Sequence, residues 1–181
     1  DISCPWCVIG LRALEQAMAR LDGQVAVDLH FQPFELNPQM PAGGQDIDEH
    51  LQQKYGSTPE QAALVRERIR AAGAALGFTF SLQTRSRIYN TFDAHRLLHW
   101  AALEGRQLAL KQALFQAYFT DGEDPSSHQV LIRAAARVGL DATRAARILD
   151  SNEFAAVVRK EQAFYRDQGI HAVPAVIINN Q

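Results

Sequence analysis

Two cysteines occur in this chain, and they stand two residues apart in Cys4-Pro5-Trp6-Cys7. A lone CxxC pair at the opening of a helical pattern suits thiol–disulfide exchange. Pro5 fits a first helical position, where a missing N–H is not felt. Leu11, Leu14, Met18 and Leu21 then recur at helical spacing, and Asp22-Gly23 supplies a stop. Cys4 is therefore expected at or just before a helix N-terminus, where unpaired N–H groups and the positive dipole end favour thiolate over thiol. In such motifs the thiol pKa falls to roughly 3.5–7.5, from about 8.5 when free. Cys7 is expected one turn inside, within disulfide reach of Cys4 and less exposed. Roles follow from that asymmetry: Cys4 attacks or is attacked, and Cys7 resolves the mixed disulfide. Pro5 and Trp6 tune the couple, and Trp6 either offers an apolar contact to a substrate chain or simply packs. No imidazole stands between the sulfurs, so the direction of electron flow stays open.

Two other uses of the pair carry less weight. Zinc takes four ligands, and no second cysteine pair exists. His95 and His99 have ligand spacing on an expected helix, but nothing places them near Cys4. A structural disulfide closing only two residues constrains little of the unfolded chain. No metal and no bound cofactor are expected; glutathione or a partner redox protein is the candidate electron source or sink.

The pair needs a scaffold, and 181 residues suffice for one sizeable core or a compact domain with a large insertion. The formal charge is −2 and the arginines are scattered, so neither nucleic acid nor a membrane surface is an expected partner. No apolar run reaches spanning length. Residues 24–36 read as a strand, with Val25, Val27, Leu29 and Phe31 alternating against polar positions and Pro33 near its end. Helical patterns then dominate to residue 168. Asp46 with Glu49, and Thr58-Pro59-Glu60-Gln61, read as helix starts; Ile47, Leu51 and Tyr55 mark one stripe, and Val65, Ile69, Ala72 and Leu76 the next. Phe78, Phe80 and Leu82 alternate in an extended connection. Asn90 caps a helix to about Glu104, another runs from Arg106 to Phe119, and three more follow at about 128–138, 142–150 and 152–168. After Gly169, residues 172–178 read as a buried strand entered through Val173-Pro174, with Asn179-Asn180 as a hairpin turn.

Taken together these segments resemble the DsbA family of the thioredoxin superfamily: the CPWC at a helix start, the helical block, and Val173-Pro174 before a strand. Phe34-Glu35-Leu36-Asn37-Pro38, Asn90 to Leu97, and Ala113 to Phe119 resemble its FrnE-like branch. The resemblance implies an α/β fold, a thioredoxin-like sheet from residues 1–45 and 169–181 with an all-helical insertion at 46–168. It implies dithiol–disulfide oxidoreductase activity, with Cys4 and Cys7 catalytic and Pro5, Trp6 and Pro174 in support. It also implies that Pro174 is cis beside the pair, and that Val173 offers backbone hydrogen bonds to an extended substrate segment. The expected partners are thiol- or disulfide-containing proteins or peptides and a redox partner that the sequence does not identify. His95 lies either near the active site or, as a hydrogen-bonded histidine, anchors the insertion.

The chain departs from that pattern at its ends. Three residues precede Cys4 and three follow Ile178, so flanking strands are expected to be missing and sheet edges exposed. Asp1 is the only acid upstream of the pair. A cytoplasmic location is expected from the branch resemblance and the lack of further cysteines, although so abrupt a start would not have kept a signal peptide. A glutathione-dependent isomerase or transferase of related architecture is the main alternative. Relatives of that type carry a serine where Cys4 stands, which argues against it. A non-catalytic peptide-binding module is the third reading, and predicts affinity independent of both sulfurs.

Overall fold

The computed structural model describes residues 1–21, 23–81 and 86–179. Its helices are α1 (Pro5–Arg20), α2 (Ile47–Tyr55), α3 (Pro59–Ala75), α4 (Phe92–Leu103), α5 (Gln107–Phe115), α6 (His128–Arg137), α7 (Ala142–Leu149) and α8 (Ala155–Asp167). Short side chains start several of them. The Asp46 carboxylate accepts from the N–H groups of Asp48 and Glu49 at 2.9 and 3.0 Å to open α2, and Gly56 closes it at φ +65. Thr58 and Gln61 form a reciprocal capping box on α3. Each such cap contributes about 1 kcal/mol. Asn90 Oδ1 accepts from Phe92 N–H at 2.8 Å, so α4 begins two residues after Asn90. The expected helix from Arg106 to Phe119 is α5 followed by a π-helical turn, Gln116–Thr120, closed by Asp121 N–H to Gln116 C=O at 3.0 Å.

The core is one continuous apolar cluster. Val8 and Leu11 of α1 join Leu97, Leu110, Leu114, Phe115, Phe119, Leu131 and Ile148 from the helical block. Fully burying each large side chain contributes roughly 1.5–3 kcal/mol. α3 enters this cluster with a face centred on Ala62, Ile69 and Gly73, whereas Val65, expected inside, is 43 % exposed. Gly73 lies on the inward side, where a Cβ would meet the Phe80 ring at 2.5 Å. Tyr55, also expected on a buried stripe, is exposed under the Lys54 ammonium.

Both expected core strands differ from the sequence reading. Among the described residues the one ladder is a two-residue antiparallel pair, β1 (Gln45–Asp46) with β2 (Arg87–Ile88), in register Gln45 to Ile88 and Asp46 to Arg87. Residues 24–36 and 172–178 have no ladder. Alternation reports which side chains seek burial, but a strand also needs a neighbouring backbone for its N–H and C=O groups. In the first segment a side chain takes that part: Gln107 accepts from Phe31 N–H and donates to Phe31 C=O, both at 2.9 Å. Leu29 and Phe31 pack on the core, while Val25 and Val27 are exposed. In the second segment Val176, Ile177 and Ile178, expected to be buried, are exposed. Asp22, Leu82 and Asn180 lie outside the described residues. α1 ends at Arg20 with Gly23 at φ +73 beyond it, and Asn179 has φ +51.

Candidate active site

Cys4 caps α1. Its backbone is extended (φ −92, ψ 114), Pro5 follows at the first helical position, and no acid stands in the first turn to quench the positive helix end. Cys7 N–H bonds Cys4 C=O at 3.1 Å, which places Cys7 one turn in. Neither cysteine is bridged.

The Val173-Pro174 peptide is cis and lies against this end of α1. Cys4 Sγ is 3.7 Å from the Val173 carbonyl oxygen. Gly10 admits the proline: a Cβ there would meet Pro174 Cγ at 3.3 Å. Val173 is half-buried and Pro174 exposed, while Trp6, 40 % exposed, stands on the surface beside the pair. The exposures of the two sulfur residues reverse the expectation. Cys4 is 4 % exposed, because the 172–174 loop covers it, and Cys7 is the more open of the two.

Hydrogen bonding between the two thiols makes loss of one proton from the pair easier and loss of the second harder, against the burial of both sulfurs. The Lys111 ammonium favours a thiolate in the pair further. Cys4 Sγ faces the Val173 carbonyl dipole, which works against the stabilising helix end.

Around the pair is a buried polar frame. Asp1 accepts at Oδ1 from Ser3 N–H (3.2 Å) and Thr91 Oγ (2.9 Å), and at Oδ2 from Ser3 Oγ (3.2 Å) and Leu36 N–H (2.7 Å). One carboxylate thus ties the residues before Cys4 to the start of α4 and to the 34–37 segment. His95 Nε2 lies 3.7 Å from Asp1 Oδ1 without a hydrogen bond, and burial holds the ring well below its ordinary pKa and neutral. Glu35 is bonded by Arg159 and by Gln162 Nε2 (3.0 Å), fastening α8 to the same segment. His99 pairs with Glu161 at 3.5 Å and meets the Phe154 ring at a tilt, apart from the sulfurs' own contacts. Among the described residues no cluster of His, Cys, Asp and Glu could hold a metal ion.

Sequence reasoning missed Thr91 and Lys111. Thr91 sat inside a segment noted only for its resemblance. Lys111 is 4 % exposed, with Nζ 5.5 Å from the Phe31 ring and 5.1 Å from the Phe115 ring. Burial lowers its pKa to about 8. The signal was present: Lys111 falls at helical spacing between Leu108 and Phe115 on an otherwise apolar stripe.

Comparison with known proteins adds the following. A family model described as a DSBA-like thioredoxin domain matches residues 1–181. The crystal structure of a probable DsbA oxidoreductase from Streptomyces coelicolor superposes with TM-score 0.88 at 33 % identity, over 96 % of this chain and 75 % of that one. A 2-hydroxychromene-2-carboxylate isomerase is similar at TM-score 0.72 and 13 % identity, over 100 % and 83 % of the two chains, which is a likeness of fold. The uncharacterized protein YwbO of Bacillus subtilis is 24 % identical over 99 % of this chain and 84 % of its own length.

Proposed function

The chain belongs to the DSBA-like thioredoxin domain family, and from that premise we propose that it exchanges disulfides with protein or peptide thiols through Cys4 and Cys7. One observation carries the reading: the only two sulfurs of the CxxC stand at a helix N-terminus, with Cys4 Sγ 3.7 Å from the carbonyl of a cis Val-Pro peptide. In the reducing direction, a thiolate of the pair attacks a substrate disulfide R–S–S–R′, forming a mixed disulfide and releasing R′S⁻. The second cysteine then attacks the enzyme sulfur of that mixed disulfide. The Cys4–Cys7 bond forms, R–S⁻ leaves, and two electrons have passed to the substrate. The oxidising direction is the reverse. Trp6 supplies an exposed apolar surface for the substrate chain, and Val173 a backbone edge.

Cys4 is proposed as the sulfur that carries the substrate, since it lies under the Val173-Pro174 loop where an extended chain would align. A specific observation favours the opposite order: Cys7 is the more open of the two. Trapping separates them. Cys7→Ser is expected to accumulate a mixed disulfide at Cys4 with a disulfide-bonded protein substrate, one substrate sulfur leaving as thiolate; accumulation only at Cys7 in Cys4→Ser reverses the roles. Full insulin-reducing or refolding activity in Cys4→Ser would sink the assignment to the pair altogether. Glutathione-dependent isomerisation would instead show tight glutathione binding and turnover that survives loss of Cys7. Membership of the FrnE-like branch is a proposal resting on the Phe34–Pro38 and Asn90–Leu97 segments.

A further inference from the structure

A buried ammonium is costly unless an anion or hydrogen-bond acceptors meet it. Lys111 is 4 % exposed, and among the described residues its Nζ has no hydrogen bond and no ion pair; its neighbours are the rings of Phe31 and Phe115, at 5.5 and 5.1 Å. Its pKa of about 8 leaves it charged at neutral pH. Lys111 lines a cavity of about 130 Å³, whose lining passes from exposed residues, His30, Gln32 and Ala102, to buried ones, Pro33, His95 and Leu98. A second observation comes from His95. Its ring is 2 % exposed, it lines the same cavity, and its Nε2 has no hydrogen-bond partner among the described residues. Buried polar atoms are nearly always paired, so two unmet polar groups on one pocket point to an occupant. The other polar groups of the lining are engaged. The Gln107 amide holds both backbone groups of Phe31, and Glu161 pairs with His99 at 3.5 Å. The lining includes neither cysteine, nor Trp6, Val173 or Pro174, so this pocket is separate from the thiol site.

We propose that the cavity binds a short aliphatic carboxylate, its charged end toward Lys111 and His95 and its chain against Phe31, Pro33 and Leu98. Three features select that class. The volume is well below the roughly 300–1,000 Å³ of pockets for drug-sized ligands, which excludes a peptide or a tripeptide thiol. One ammonium matches one carboxylate, whereas a phosphate group draws on several donors such as arginines or a row of backbone N–H groups. Apolar side chains beside that single charge suit a hydrocarbon tail more than a bare inorganic ion. The bound molecule joins α4, α5 and the 30–33 segment around one charge. The proposal stands independently of the exchange chemistry at Cys4 and Cys7.

The test titrates sodium butyrate into the whole chain carrying isotope-labelled lysines. Butyramide serves as the uncharged counterpart, and sodium chloride as the control at matched ionic strength. Butyrate is expected to move the Lys111 NMR resonance saturably in the millimolar range, while butyramide and chloride leave it in place. By calorimetry, Lys111→Met, which removes the charge, and Ala102→Phe, which fills the exposed rim, are each expected to weaken butyrate binding about tenfold or more. Glu161→Gln, which removes a like charge from the lining, is expected to tighten it about threefold. A Lys111 resonance that ignores butyrate overturns the proposal, and so does an equal response to chloride or butyramide. Unchanged affinity in a folded Ala102→Phe protein overturns it as well, because the binding then lies elsewhere. Should Lys111→Met not fold, the rim variant and the parent titration decide the matter.

Discussion

The first ionisation of the pair owes its ease to the hydrogen bond between the two thiols, and only then to the surrounding charges. The reduced protein is therefore expected to release one thiol proton near pH 6, well below the roughly 8.5 of a free cysteine. Absorbance of the thiolate at 240 nm checks this directly. Because the folded pKa lies below the unfolded one, reactivity toward a small disulfide should hold above pH 6 and fall about tenfold for each unit below it. Cys4→Ala removes the leading cause. Its Cys7 midpoint should climb back toward the free value, and a midpoint that stays near 6 would show that the helix end and Lys111 suffice without the neighbouring thiol.

Two glycines stand at close approaches between elements, one at the site and one away from it. Gly10 of α1 lies against Pro174, so Gly10→Ala would push the proline by a few tenths of an ångström and shift the carbonyl that faces Cys4. We expect that variant to keep its fold, losing less than about 1 kcal/mol, while its exchange rate with a peptide disulfide changes several-fold; an unaltered rate would argue that the loop does not govern access to Cys4. Gly73 of α3 is a structural counterpart remote from the sulfurs. A Cβ there would sit 2.5 Å from the Phe80 ring, which is itself packed edge-on against Phe119 at 5.3 Å. Gly73→Ala should cost about 1–3 kcal/mol in chemical denaturation and leave the glutathione equilibrium of the pair alone. Together the two variants separate packing of the helical block from geometry of the site.

Across the whole molecule the thioredoxin-like DsbA fold is here mostly helical, and its α/β site is assembled from both ends of the chain. Buried polar groups tie its helices together. Arg96 of α4, 3 % exposed, donates to the carbonyls of Ile148, Ser151 and Glu153 as well as to Asp93, so it closes the end of α7 onto α4. Arg96→Leu should cost about 3 kcal/mol or more, since several carbonyls lose a charged donor at once. His95 makes stability depend on pH. Burial depresses its folded pKa below 6.5, so the unfolded chain binds the proton first as pH falls. Stability is then full above about 6.5 and declines below it, by up to about 1.4 kcal/mol per pH unit for this one proton. Thermal unfolding between pH 7 and 5 measures the slope, and His95→Gln should flatten it.

Much of this architecture is legible in local pattern, and the remainder is legible only in space. Cys4 and Cys7 with Pro5 between them mark a helix start, Asp46 and Thr58 mark two more, and Gly56 and Gly169 mark ends, because caps and periodicity act over one or two turns and need no distant partner. Val173-Pro174 could be recognised by resemblance, yet its place against Gly10 and Cys4 depends on bringing the chain's two ends together. The same holds for the carbonyl that the fold sets beside the Cys4 sulfur, which local reasoning from the helix end could not anticipate. Residues 24–36 carry a strand's alternation, but their backbone is met by the Gln107 amide instead of a ladder. Propensity and spacing are properties of a stretch of chain, whereas charge, pairing and burial belong to whatever the fold sets alongside it.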